Sequence, residues 1–374
     1  MAGLYLHIPF RRSSHAYDES FAVDVETADV DRFVAALRRE LRLYAGEYAE
    51  EEPIRTVYIG GGRPSLLSRE HVRSVLATLN ECADVSAVEE VTIEVHPSDA
   101  GEAPLQALRQ MGIERVSLGA LSFFPADLRA IEAAHSAEQV TRAFRNLRAA
   151  GFQNVSVDLL FGWPDQTQSQ WKAVLDRAVE LNLPHVTLLE ASSAAGTVAS
   201  DDVLAHRLEY AMTYLQSEGY AQYELTHFAR PEAQSVHQVH YYAHENQLGL
   251  GPSAESFWWG HRGRALARRW TNVSDLERYV TLLRDRYPPV AFRQTLDRSA
   301  LATEYVLLRL RTSDGLNLDH LQARYGLDLP ETKASLLDRL QSEGLAEIES
   351  GHLRLTNRGR LVADAITEKL TEAL

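Results

Sequence analysis

Histidine and tyrosine side chains that could bind a heme iron lie close together in one segment of the chain. His237, His240 and His244 recur at intervals of three and four residues, and Tyr241 lies among them. If this segment is helical, that spacing places the histidines on one face. An imidazole or a phenolate can serve as an axial ligand of heme. We therefore predict His237, His240 and Tyr241 as heme ligands, with packing of each histidine between two parts of the fold as the alternative.

A second group of residues has the types expected around a small polar ligand. It consists of the glycine run Gly60-Gly61-Gly62, Glu94 and Asp158, each within or directly after a short apolar segment. Glycine lets a backbone approach a ligand closely, and carboxylates accept hydrogen bonds. In parallel α/β folds such residues gather at the carboxyl ends of the strands. The alternative is that they form a tight turn and satisfy a polar interior.

The elements that must position these residues follow an alternating pattern. Over the first 230 residues, β-branched runs alternate with longer helical patterns, which is typical of a parallel α/β sheet or barrel. Six strands, each followed by helix, favour an open, TIM-like partial (βα)6 barrel over a closed eightfold one. The predicted strands are 3–8, 55–60, 90–95, 115–119, 154–160 and 185–190, and the predicted helices are 28–49, 68–83, 101–112, 125–132, 136–150, 167–182 and 200–218.

The pattern changes in the second half of the chain. We predict a barrel over 1–225, a connecting region rich in histidine and aromatic residues over 226–298, and a small C-terminal domain over 299–374. The last part has the helix and hairpin order of a winged helix, an α+β domain. It carries nine basic and twelve acidic residues, whereas a DNA-binding winged helix is normally basic. We therefore expect no nucleic-acid binding.

Composition excludes further classes of protein. The 374 residues include 38 basic and 52 acidic side chains, a formal charge of −14, which disfavours binding to nucleic acids and to anionic membranes. No apolar stretch reaches the length of a membrane span, and residues 1–10 do not resemble a signal peptide, so a cytoplasmic location is expected. The one cysteine, Cys82, excludes an internal disulfide, a cysteine-only zinc site and a protein-held iron–sulfur cluster.

Eight collinear motifs resemble one known family over nearly the whole chain. The family is that of the radical S-adenosylmethionine (SAM) proteins that includes the oxygen-independent coproporphyrinogen III oxidases and the HemW heme chaperones. The last three motifs resemble the HemW branch more than the oxidase branch. The motifs are LYLHIPF (4–10), YIGGGRPSLL (58–67), EVHP (94–97), RVSLGALSF (115–123), DLLFGWPDQT (158–167), HFARP (227–231), HQVHYY (237–242) and LGLGP (248–252).

The resemblance implies a 4Fe–4S cluster held by a CxxxCxxC loop directly after the first strand. Here the three cysteine positions are Arg11, His15 and Asp18, and none is a thiolate. We therefore expect cluster binding to be lost. His15 and Asp18 could instead bind a single iron, zinc or manganese ion. The alternative is that the former cluster loop has drifted to soluble residues.

The SAM site implied by the family is only partly kept. Gly60 to Gly62, Glu94 and Asp158 match the family pattern. The threonine, glutamine and arginine expected nearby are replaced by Arg63, Leu121 and Ala133, which removes hydrogen-bonding and charge-pairing capacity for SAM. SAM binding is therefore also expected to be lost, and the matching residues are interpreted as a vestigial site that keeps the fold.

These observations favour a degenerate member of the family. In HemW-type proteins the segment matching 237–242 reads HNxxYW, and here His237 and Tyr241 persist while Gln238 and Tyr242 replace the asparagine and the tryptophan. The leading hypothesis is a HemW-like pseudoenzyme that binds heme or another porphyrin as a chaperone, and delivers it to an acceptor protein. The alternatives are a non-catalytic partner of an active paralogue and an enzyme with a mononuclear metal at His15 and Asp18.

Overall fold

A twelve-stranded sheet forms the centre of the structure. The structure, a computed structural model, describes residues 1–12, 21–49, 52–191, 199–260 and 266–372. The strands within those ranges are β1 (Ala2–Ile8), β2 (Phe10–Arg11), β3 (Val23–Asp24), β4 (Ile54–Gly61), β5 (Glu90–Val95), β6 (Arg115–Leu121), β7 (Asn154–Phe161), β8 (His185–Glu190), β9 (Ala221–Glu224), β10 (His227–Ala229), β11 (Gln247–Leu250), β12 (Glu255–Trp259), β13 (Ala267–Asn272), β14 (Val290–Leu296), β15 (Leu316–Asn317), β16 (Ala346–Glu349) and β17 (His352–Leu355).

Helices cover the outer face of this sheet and form most of the C-terminal part. The α-helices are α1 (Val30–Tyr44), α2 (Arg69–Cys82), α3 (Glu102–Gln110), α4 (Pro125–Ala130), α5 (Ala137–Ala149), α6 (Gln168–Glu180), α7 (Asp201–Ser217), α8 (Val236–Tyr242), α9 (Leu276–Arg284), α10 (Arg298–Leu310), α11 (Leu318–His320), α12 (Leu329–Thr332), α13 (Ala334–Ser342), α14 (Asn357–Arg360) and α15 (Ala363–Thr371). None of the helices in the described ranges is long and apolar enough to cross a membrane.

The strand order confirms the predicted partial barrel. Strands β1, β4, β5, β6, β7 and β8 are adjacent and parallel in that order, with a helix after each. Two extensions of the sheet were not foreseen. Strand β11 adds in parallel to β1 and continues into the antiparallel strands β12 to β14, while β10 and β9 extend the edge at β8. The division of the chain at 225 and 298 stays a prediction.

Alternation along the strands separates an apolar outer face from a polar inner face. Leu4, Leu6 and Ile59 pack into the core between sheet and helices. Their sequence neighbours Tyr5 and Tyr58 instead line the interior of the barrel. Because successive side chains in a strand point to opposite faces, this arrangement follows directly from the period of two. The polar interior is incompletely filled, and this leaves room for cavities.

Capping motifs in the sequence explain where several helices start. Ser136 accepts a hydrogen bond from the Gln139 backbone, and the Gln139 side chain accepts one from Ser136 N, which forms a capping box at α5. Thr167 and Gln170 form the same motif at α6. Each such cap stabilises its helix by about 1 kcal/mol. The predicted helix starts therefore lie within two residues of the observed ones.

The C-terminal part has its own core. Strands β15, β17 and β16 form a three-stranded sheet, against which α10, α13 and α15 pack with leucine-rich faces. Gly326, at φ 75°, ends the helical segment 321–325 that follows α11. The helix and hairpin order is that of the predicted winged helix.

Candidate functional site

Two adjoining cavities occupy the interior of the barrel. The first, called the barrel cavity, has a volume of about 480 Å3 and is lined by residues that include Arg11, Gly62, Asp158 and His185. The second, called the lateral cavity, has a volume of about 450 Å3 and extends towards α8 and α10. Tyr58, Glu94 and Gln238 line both cavities. Volumes of this size are typical of small-molecule and cofactor sites.

The glycine turn and Glu94 form one hydrogen-bonded unit at the wall of the barrel cavity. Gly61 N donates to Glu94 Oε2 at 3.1 Å, and the Tyr58 hydroxyl donates to Glu94 Oε1 at 2.9 Å. Gly61 has φ 108°, and a Cβ added at Gly62 would lie 2.6 Å from the Phe10 carbonyl oxygen. The backbone itself therefore requires these glycines, whether or not a ligand is bound.

Asp158 lies on β7 at the wall of the same cavity. The Ser117 hydroxyl donates to its two carboxylate oxygens at 3.0 and 3.2 Å. Burial raises the pKa of Asp158 to about 6, although the hydrogen bond from Ser117 opposes that shift. The structure thus brings Gly62, Glu94 and Asp158 to one cavity.

Apolar or paired side chains lie at the three positions where the family pattern has threonine, glutamine and arginine. The Arg63 guanidinium donates to both carboxylate oxygens of Asp99, each at 2.6 Å, so its charge is already neutralised. Leu121 packs with Leu160 and Trp163, and Ala133 contacts the same small cluster. These side chains cannot replace the amide and guanidinium that the family pattern places there.

Helix α8 is anchored to the barrel by a buried carboxylate. Glu90, 3% exposed, accepts hydrogen bonds from Ser235 Oγ at 2.9 Å, from Val236 N at 3.0 Å and from His237 N at 3.2 Å. The Ser235 hydroxyl also caps the helix by accepting from Gln238 N. A carboxylate at this end of a helix satisfies amides that lack helical partners. The position of His237, in the first turn of α8, is therefore well defined.

His237 lies between the inner face of β4 and the lateral cavity. Its Nδ1 is 2.8 Å from Thr56 Oγ1, and its ring stacks on Tyr58 with centroids 5.1 Å apart. Its Nε2 lies 3.5 Å from Gln247 Nε2. Burial, with a contribution from the neighbouring His240, lowers the pKa of His237 to about 3. The imidazole is thus neutral at pH 7, the form that ligates metals.

The other two heme candidates have different surroundings. His240 Nε2 lies 2.9 Å from the Asn246 carbonyl oxygen, and its ring packs against Gly3, so this nitrogen already has a hydrogen-bond partner. Tyr241 is 45% exposed and lines the lateral cavity. Helix α8 ends at Tyr242, so His244 does not continue the helical face that its spacing suggested.

Many residues in and around the lateral cavity were not among the predicted heme ligands. His244 lies beyond the helix and stacks on Phe257 of β12 with ring centroids 4.5 Å apart. Thr56 and Gln247, which contact His237, belong to strands that are far apart in the sequence. Spacing could not reveal these residues, because only the tertiary fold brings them together. The remaining lining residues from β12, β13 and α10 are Glu255, Ser256, Arg269, Glu304, Leu307 and Leu308.

Comparisons with known proteins place the chain in a family. Residues 27–178 match the model of the Radical SAM superfamily, and residues 296–362 match that of the HemN C-terminal domain. The heme chaperone HemW of Mycobacterium tuberculosis is 33% identical, over 98% of this chain and 94% of its own length. The chain belongs to the HemW family. The HemW of Bacillus subtilis is 26% identical over 98% of each chain.

A solved structure shows the same fold. Coproporphyrinogen III oxidase HemN from Escherichia coli, a radical SAM enzyme, superposes with a TM-score of 0.84 at 22% identity. The match covers 100% of this chain and 90% of HemN. The radical SAM fold and the HemW resemblance that the motifs predicted are therefore confirmed.

The radical SAM match raises the question of whether this HemW relative could hold an iron–sulfur cluster. Such a cluster is ligated by several thiolates, and the chain has one cysteine. Cys82 lies on α2 beside Leu4, Leu41 and Leu248, on the outer side of the sheet. The residues described around the barrel cavity include no thiolate and do not fit a cluster.

A mononuclear metal site also depends on residues of the former cluster loop. His15 and Asp18 lie outside the described residues, whereas Arg11 lines the barrel cavity. Over the described ranges, no three histidine, cysteine, aspartate or glutamate side chains are grouped closely enough to hold a metal ion. The metal hypothesis for His15 and Asp18 stays a prediction.

Proposed function

We propose that this HemW relative is a pseudoenzyme that binds heme, or a related tetrapyrrole, in the lateral cavity and passes it to an acceptor protein. The observation that supports the proposal is the state of His237. Its imidazole is neutral, its Nδ1 is held by Thr56, its Nε2 lies 3.5 Å from Gln247 Nε2, and its side chain lines the cavity. Metal-ligating histidines commonly have this arrangement, in which one ring nitrogen is fixed by a hydrogen bond and the other is the ligand.

The walls of the lateral cavity offer a planar ligand an apolar surface beside one arginine and four glutamates. Phe257, Leu307 and Leu308 supply apolar surface. Arg269 lies at the same wall and is paired with Glu304 at 2.9 Å. Tyr241 lies at the exposed side, where an aromatic ring can cover a bound planar ligand. In this assignment His237 binds the iron and the apolar wall excludes water, while the charge of Arg269 is met by Glu304 within the protein.

Loss of the radical SAM chemistry is the second part of the proposal. It is supported by the single cysteine, by the Arg63–Asp99 pair and by the apolar cluster around Leu121. In this view the vestigial SAM residues, Gly60 to Gly62, Glu94 and Asp158, maintain the barrel wall through their hydrogen bonds. The cytoplasmic location and the identity of the acceptor, or of an active paralogue as partner, stay predictions.

A hemin titration with two matched variants tests the proposal. Purified protein is titrated with hemin and the Soret band is recorded. His237→Ala is expected to weaken hemin binding at least about tenfold. Loss of a residue that hydrogen-bonds a metal ligand already lowers affinity by about that factor, and loss of the ligand itself should cost no less. His240→Ala removes the same side chain from the same helix, outside the lateral cavity, and is the control. Absence of a Soret shift at micromolar hemin, or equal weakening by both substitutions in folded protein, would contradict the assignment.

A further inference from the structure

We propose that Gln247 is an exchangeable partner of His237, which makes ligation of the iron reversible, and that Thr56 orients the imidazole for it. The inference rests on the proposed function and adds the means by which the same site releases its ligand. The three residues come from β11, α8 and β4. Gln247 and His237 line the lateral cavity, and Thr56 contacts His237 from a buried position on β4.

Gln247 is held weakly at this position. Its amide nitrogen is 3.5 Å from His237 Nε2, a distance at the outer limit of a hydrogen bond. Its Oε1 is buried and has no hydrogen-bond partner among the described residues. A side chain with one long contact and one unsatisfied polar atom costs little to move aside. Both Gln247 and His237 line the lateral cavity, so an approaching ligand meets them together.

Thr56, in contrast to Gln247, makes a short contact with the His237 ring. It is fully buried on β4, and its hydroxyl lies 2.8 Å from His237 Nδ1. When Nε2 binds a metal, the proton of the neutral imidazole resides on Nδ1. The Thr56 hydroxyl oxygen is placed to accept a hydrogen bond from that N–H group. The stacking of His237 on Tyr58 fixes the plane of the ring as well.

These contacts define an exchange with no change of protonation or oxidation state. In the free protein the Gln247 amide occupies the position next to Nε2. On binding, the amide withdraws and His237 Nε2 replaces an axial water on the iron; on release, water or a ligand of the acceptor replaces Nε2 and the amide returns. A competing internal partner lowers the net affinity and shortens the lifetime of the bound state, which suits a protein that must hand its cargo on.

The experiment measures hemin affinity and the rate of hemin transfer to apomyoglobin. Gln247→Leu and Gln247→Ala are each expected to tighten binding and slow transfer about two- to tenfold, which corresponds to one hydrogen bond of ordinary strength. Thr56→Val is expected to weaken binding about tenfold and to shift the Soret maximum. Thr56→Ser keeps the hydroxyl and is expected to restore both properties. Thr78→Val, a buried threonine on α2 whose hydroxyl contacts Arg38, is the control.

The outcomes separate this inference from the proposed function. If His237→Ala binds hemin as the unaltered protein does, the proposed function fails. If His237→Ala loses binding while both Gln247 variants bind and release hemin at the original rates, the exchange is overturned. If Thr56→Val behaves as Thr78→Val does, orientation by Thr56 is overturned. Circular dichroism confirms folding of each variant, and a misfolded Gln247→Leu leaves Gln247→Ala to decide.

Discussion

The Asn272 side-chain amide donates a hydrogen bond to Glu40 Oε1 at 2.6 Å, which joins the first helix to β13, in an extension of the barrel sheet. Glu40 is fully buried and also accepts from Gly251 N at 2.8 Å and from the Tyr279 hydroxyl. One carboxylate therefore fixes α1, β13 and α9 to one another.

The buried Glu40 makes stability depend on pH. Burial raises the pKa of Glu40 from 4.5 to about 7, although hydrogen bonds from Tyr279, Gly251 and Asn272 oppose this. Because the pKa of Glu40 is higher in the folded than in the unfolded state, its contribution to stability is fully present below about pH 4.5. That contribution is lost as pH rises through 7. Unfolding free energy measured by urea denaturation should fall by up to about 3 kcal/mol over that window through this group.

Two variants isolate the contribution of Glu40. Glu40→Gln should flatten the dependence of the unfolding free energy on pH between 4.5 and 7, because the side chain no longer titrates. Glu277→Gln, the same substitution at an exposed surface pair, should keep the slope. An unchanged slope in folded Glu40→Gln would show that another group causes it.

Glu224 should couple the barrel sheet to the C-terminal part. Its carboxylate lies 2.7 Å from His227 Nδ1 and 3.1 Å from Arg311 Nε, and its side chain is fully buried. Breaking such a pair leaves a buried charge uncompensated, so Arg311→Met should cost about 3–5 kcal/mol in urea denaturation. Arg354→Met, at a surface pair with Glu349, should cost less than about 1 kcal/mol. Equal effects of the two would argue against the coupling.

The same carboxylate predicts acid sensitivity. Burial alone would raise its pKa, but hydrogen bonding and charge from His227, Thr226 and Arg311 lower the pKa of Glu224 from 4.5 to about 2. Since the folded-state pKa is depressed, this contribution is present above pH 4.5 and is lost as pH falls towards 2. In Glu224→Gln, the unfolding free energy should therefore fall less between pH 4.5 and 2 than in the unaltered protein. Unfolding is monitored by tryptophan fluorescence. An acid transition identical to that of the unaltered protein would contradict this role.

The barrel cavity should not bind SAM. Equilibrium dialysis with labelled SAM is expected to show no binding, because Leu121 and Ala133 supply neither an amide nor a guanidinium. Restoring the family threonine through Arg63→Thr should not create binding. It should instead destabilise the protein by about 1–3 kcal/mol, because Asp99 loses both hydrogen bonds from the guanidinium. Saturable SAM binding by the unaltered protein would contradict the pseudoenzyme proposal.

Local patterns in the sequence determined the strands and helices of the barrel. The six parallel strands lie within two residues of the predicted ranges, because buried strands are short apolar runs whose ends carry glycine, histidine or carboxylate residues. Capping pairs such as Ser136 and Gln139 are three residues apart, so the sequence alone can predict them. The proposed loss of cluster binding likewise rests on residue types, Arg11, His15 and Asp18, at the spacing of the family motif.

Tertiary structure decided which of the candidate residues share a cavity. His237 and His240 are three residues apart on one helix, but one lines the lateral cavity and the other bonds to the Asn246 carbonyl. The difference arises because β11 pairs in parallel with β1 and so brings Gln247 beside Gly3. Pairing between segments more than 200 residues apart depends on the packing of the whole sheet, which no local periodicity encodes. The residue types for binding heme were present in the sequence, and the long-range strand pairing determined that His237, Thr56 and Gln247 meet.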